Sequence, residues 1–108
     1  MPRSLIIILI DFFILHYIMV LTYKQQFNKK YGQPQSQSNS IADIARLTGY
    51  KKAGLQTIFN KGIGAYKTNP SSVRPSVKSP EQWAYSRLYA SVNPKSKAYK
   101  IDKIHLKR

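Results

Sequence analysis

Asp11, Asp43, Glu81, Asp102, His16 and His105 make up the whole carboxylate and imidazole inventory of this 108-residue chain, which has no cysteine. That inventory is restrictive. Without a thiolate there is no cysteine nucleophile, no disulfide and no cysteine-ligated zinc. The carboxylates are too scattered to hold catalytic metal ions. Asp102 and His105 are spaced to share a helix face, as a base and its orienting group would be, but beside a basic C-terminus they read as a weak local pair. No enzymatic activity, cofactor, metal or small-molecule substrate is expected.

The chemistry in plentiful supply is cationic. Residues 24–108 hold 17 of the 18 Lys and Arg residues against Asp43, Glu81 and Asp102, a net of +14. A surface serving solubility alone mixes both signs, so this density calls for a polyanion, nucleic acid first. Two stretches concentrate the candidates. Lys51, Lys52, Gln56, Thr57, Asn60 and Lys61 recur at helical spacing; Gln56 and Asn60 suit adenine edges, whereas the lysines suit phosphates, which add affinity without sequence information. Weak sequence specificity on duplex DNA follows. Tyr66, Lys67, Arg74 and Lys78 come next, with Tyr66 able to stack on a base and Arg74, held extended before Pro75, able to enter a minor groove. Gly62-Ile63-Gly64 is only a weak phosphate-loop signal, since no strand precedes it.

Short helices must position these side chains. Ser40 caps the first, with Asp43 three residues on facing the helix dipole, and Ile41, Ile44, Ala45 and Leu47 give it an apolar face. Gly49 makes the turn. Tyr50 to Lys61 resumes a helical period with Leu55, Ile58 and Phe59 inward. Gly62 and Gly64 are expected to end it, and Ile63 to Lys78, carrying Pro70 and Pro75, to form a long basic loop. Ser79 opens a third helix with Pro80 at its first position and Gln82 completing a capping box; Trp83, Ala84, Leu88 and Val92 face the core, and Asn93-Pro94 stops it. The tail adds a short closing helix after Asp102. The expected fold is mainly α: a small helix-turn-helix-like domain over residues 41–108, preceded by a basic, polar linker over 24–40 that includes the low-complexity stretch Gln33–Ser40.

Residues 1–23 form a hydrophobic segment of their own. Leu5–Tyr23 is long enough, as a helix, to cross most of a bilayer. Its 13 Leu, Ile, Phe and Val residues favour insertion by roughly 4–8 kcal/mol and Asp11 opposes it by about 3 kcal/mol. Arg3 before it and Lys24, Lys29 and Lys30 after it would leave the basic domain on the cytosolic side of the membrane. Two alternatives stand beside this anchor: translation that starts at Met19, and a buried or interfacial helix.

Residues 41–60, IADIARLTGYKKAGLQTIFN, resemble helix-turn-helix segments of phage repressors. Ala45 stands where the two helices touch, Gly49 at the turn, and Ile44, Tyr50, Leu55 and Ile58 at the packed positions. Gly54 departs from the pattern, weakening a helix by about 1 kcal/mol relative to Ala, and a helical hairpin that only builds a core is the alternative. The stretch GIGAYKTNPSSVRPSVKSPEQWA, Gly62–Ala84, together with KKYG near residue 30 and the KIDKIHLK ending, resembles a family of small basic proteins encoded by large DNA viruses of algae and protists and by some bacteriophages. The likeness covers about residues 22–108 and implies a virion or an infected host cell as the setting, and nothing catalytic. Two roles remain open there. One is a DNA-binding protein of genome packing or viral gene control; the other is a minor capsid protein, anchored in an inner membrane through Leu5–Tyr23 and touching capsid proteins.

Overall fold

The structure, a computed structural model, describes residues 21–68 and 77–108. Every regular element among them is helical: α1 (Tyr23–Lys30), α2 (Ile41–Thr48), α3 (Lys52–Thr68), α4 (Pro80–Ser91), α5 (Lys97–Asp102) and a closing 3-10 turn, Lys103–His105. The mainly α fold expected from the sequence is therefore the fold observed.

The helix starts follow local chemistry. At α2 the Ser40 hydroxyl accepts from the Asp43 N–H at 3.1 Å, and the Asp43 carboxylate accepts from the Ser40 N–H at 3.0 Å. That backbone hydrogen bond holds the Asp43 carboxyl below its ordinary range. Thr22 and Gln25 build the same reciprocal box at α1, and Ser79 and Ser96 cap α4 and α5. Gly49 closes α2 with φ +81°, the left-handed conformation that a side chain would oppose. Between α2 and α3 lie only Gly49, Tyr50 and Lys51.

The centre of the molecule is the packing of α3 on α4. Leu55 and Ile58 from α3 and Ala84 and Leu88 from α4 are fully buried, with Ile41 and Ile44 of α2 and Phe27 of α1 completing the apolar cluster. A Cβ on Gly62 would stand 2.8 Å from the Cα of Ala84. The two helices thus approach to a separation that glycine alone permits.

Gly62 and Gly64 do not end α3, which runs through both to Thr68; the helical cost of each glycine is about 1 kcal/mol, and close packing on α4 outweighs it. Residues 63–68 of the expected loop are accordingly helical, and residues 69–76, with Pro70, Arg74 and Pro75, lie outside the described residues.

Residues 24–40 are likewise no free tether. They carry α1, whose Asn28 is fully buried and whose amide donates to the Gln35 and Gln37 carbonyls at 2.9 and 3.0 Å. Asn39 donates to the Asn28 side-chain oxygen at 2.9 Å and to the Tyr89 hydroxyl at 3.1 Å. Gln33–Ser40, a polar stretch with nothing apolar to bury, is fastened to α1 and α4 by amides. Burial of Tyr89 in this contact raises its phenol above the ordinary value.

Two smaller differences concern Trp83 and the C-terminal helices. Trp83 is only partly buried and stands outside the core cluster, where Phe27 and Tyr89 take that role, their ring centroids 5.2 Å apart. The short closing helix after Asp102 is the 3-10 turn Lys103–His105, and a further α-helix, Lys97–Asp102, precedes it. Of the hydrophobic segment, residues 1–20 lie outside the described residues, among which no helix is long and apolar enough to cross a membrane.

Candidate nucleic-acid interface

Because Leu55, Ile58 and Gly62 turn one side of α3 to the core, the helical period sends Lys52, Thr57, Asn60, Lys61 and Lys67 to the other. Lys51 is exposed just ahead of the helix. The two residues suited to base edges are engaged with each other: the Gln56 amide donates to the Asn60 side-chain oxygen at 3.0 Å, one turn apart on the surface. Thr57 turns its hydroxyl back to the Ala53 carbonyl at 3.1 Å. Tyr66 is partly buried on the last turns of α3, so it belongs to a helix and not to a loop. Lys78 is exposed at the entrance to α4, its N–H donating to the Gln82 side chain at 2.8 Å. Arg74 lies outside the described residues.

Lys61 differs from the other candidates. Its ammonium stands 3.7 Å from the carboxylate of Asp102, which is fully buried. Two nitrogens of Arg87 grip the two oxygens of that carboxylate at 3.2 and 3.1 Å, and the Ser91 hydroxyl donates to it at 2.6 Å. Burial pushes the Asp102 carboxyl upward, but the hydrogen bonds from Arg87 and Ser91 and the charges of Arg87 and Lys61 outweigh it and leave the carboxyl below its ordinary range. The expected weak partnership of Asp102 with His105 is replaced by a network joining α3, α4 and α5. Two of the three acids among residues 24–108 are thereby paired, Asp43 with Arg46 at 3.8 Å and Asp102 with Arg87 and Lys61, so little negative charge offsets the cationic surface.

A set of residues that the sequence pattern did not single out completes the surface. The Lys51 N–H donates to the Lys107 carbonyl at 2.6 Å, and the Arg108 guanidinium lies 4.8 Å from the centre of the Tyr50 ring. The 3-10 turn packs on α3 so closely that a Cβ on Gly54 would overlap the His105 carbonyl oxygen. Lys107 and Arg108 therefore gather with Lys51 and Lys52 at the N-terminal end of α3, whose first turn holds no acid. The dipole of a helix start favours anions, and four cations around one make a site for phosphates. The sign of this in the sequence is Gly54 itself, a glycine inside a helix with no turn to make.

Among the described residues no group of His, Asp and Glu is placed to hold a metal ion. No curated protein and no solved structure matches the chain. A model of a family of unknown function, DUF5824, matches residues 19–105, a span that takes in every described helix, and the chain belongs to that family.

Proposed function

We propose that this chain is a small basic viral protein that binds duplex DNA, largely through phosphates, in genome packing or viral gene control. The observation that carries the proposal is the gathering of Lys107 and Arg108 beside Lys51 and Lys52 at the start of α3. Cations some fifty residues apart in sequence share one end of the second helix of the α2–α3 pair. In a helix-turn-helix that end meets the major groove. Lysines are the majority there, and Gln56 and Asn60 occupy each other, so the surface supports affinity more than discrimination. That balance favours packing over sequence-directed control.

Fluorescence anisotropy of the full-length chain on a labelled duplex, repeated over a salt series, tests this directly. With roughly five phosphates neutralised, the log–log slope of affinity against salt should be about −4 to −5. Replacing Lys107 and Arg108 by Gln should flatten the slope by up to about two units and weaken every sequence alike. A slope near zero, or no binding in ~50 mM salt, refutes the proposal.

A further inference from the structure

Away from the residues of that interface, a cavity of about 310 Å³ opens between α1 and the turn after α4. Its size falls in the range of small-molecule sites, about 300–1,000 Å³. Four aromatic rings line it, Tyr23, Phe27, Tyr31 and Tyr89, and among the described residues Lys30 and Lys95 are its only charged ones. Phe27 and Tyr89 are almost wholly buried and make its floor, whereas Tyr23 is 40% exposed. The floor is rigid: Phe27 stacks tilted on Tyr31 at 4.7 Å and edge-on to Tyr89 at 5.2 Å. One wall is clasped across the fold, the Asn93 amide donating to the Gln26 side-chain oxygen at 3.1 Å. The Lys30 ammonium is 5.5 Å from the centre of the Tyr31 ring, which keeps a positive charge beside the aromatic surface.

Aromatic walls take a flat π-system by stacking, cations take an anion, and among the described residues no acid lines the cavity to repel one. The ligand that joins both features is a nucleotide. We propose that this cavity receives an unpaired nucleobase of a single strand, stacked on Tyr23 and Tyr31, with the flanking phosphates on Lys30 and Lys95. Stacking platforms interleaved with lysines are how proteins hold single strands, and each stacked base contributes about 1–3 kcal/mol. This inference rests on the nucleic-acid reading but uses a surface separate from the start of α3. The protein then holds duplex on one face and accepts an extruded or single-stranded base on another.

The test compares a labelled ten-nucleotide oligo(dT) with a labelled duplex, both titrated with the full-length chain. Tyr23→Ala should weaken the single strand about tenfold, the loss of one stacked base, and change duplex affinity less than twofold. Tyr23→Phe, which keeps the ring, should retain the single strand, and Tyr31→Leu should repeat the selective loss. If the wild-type chain binds duplex while Tyr23→Ala and Tyr31→Leu bind oligo(dT) as tightly as it does, the cavity is not a base site and the duplex proposal survives. Equal losses on both DNA forms also overturn the inference, because they report a damaged fold. Should the wild-type chain bind neither form, both proposals fall.

Discussion

Asp102→Ala should lower the melting temperature of the protein by about 12–24 °C. The carboxylate has no solvent exposure, and its removal leaves the Arg87 guanidinium and the Ser91 hydroxyl facing an emptied site. Breaking one partner out of a buried pair costs roughly 3–5 kcal/mol. Arg87 keeps 25% of its side chain exposed and recovers some hydration, which places the loss near ~3 kcal/mol, and each kcal/mol is worth about 4–8 °C in a domain of 60–100 residues. Circular dichroism at 222 nm during a thermal ramp measures it. A shift of less than about 2 °C would mean that the network does not hold α3, α4 and α5 together.

The same group sets an acid limit to stability. The folded carboxyl lies below its unfolded value of 3.8, so the native state binds fewer protons than the unfolded one in the acid range. Its stabilisation is fully present above the unfolded value and is lost as the pH falls through the folded one. Asp102→Asn, which keeps the shape and an acceptor oxygen, should lower stability at neutral pH and flatten its fall between about pH 5 and pH 2. An unchanged acid limb in the Asn variant would assign the acid sensitivity elsewhere.

Gly54→Ala should destabilise the fold by about 1–3 kcal/mol, against the direction that helix propensity dictates. In an unobstructed helix the change would stabilise by roughly 1 kcal/mol. Here the added Cβ would occupy the position of the His105 carbonyl oxygen, part of a backbone that has no rotamer with which to yield. The turn must move off α3 and take Lys107 and Arg108 with it, so duplex affinity should fall and its salt slope flatten together with stability. Gly64→Ala is the control on the same helix. Nothing lies within 4 Å of a Cβ there, so it should stabilise by about 0.5–1 kcal/mol and leave DNA affinity unchanged. If Gly54→Ala also stabilises, the C-terminal segment is not seated on α3 and the four-cation cluster does not exist.

These glycines show where the sequence was legible. Ser40 with Asp43, Gly49, and Ser79 with Pro80 each mark a boundary because the groups involved lie within a few residues of each other, and the hydrogen bonds they form are decided locally. The inward positions Ile44, Leu55, Ile58, Ala84 and Leu88 were readable for a related reason: the helical period alone puts them on one face. The candidate cations on α3 were found in the same way, from period and charge.

Gly54 and Gly62 carry the local signal of a helix breaker, yet one admits the His105 carbonyl and the other the Ala84 backbone. Nothing nearby in the sequence says so, because the atoms that require each glycine arrive from distant elements. Asn28 and Asn39 read as linker chemistry until Tyr89, fifty residues further on, closes the amide network. Asp102 reads as an exposed tail residue until Arg87 reaches it from fifteen residues back. The same holds for Lys107 and Arg108, which a sequence scan leaves in a basic tail and which the fold sets beside Lys51 and Lys52. By itself the sequence determined the starts of α2 and α4, the buried faces of α2, α3 and α4 and the sign of the surface, all properties of neighbouring residues. Only the tertiary structure decided which polar groups are buried and which cations act together, because a hydrogen bond or an ion pair depends on where a partner's atoms stand and not on the types of residue beside it in the chain.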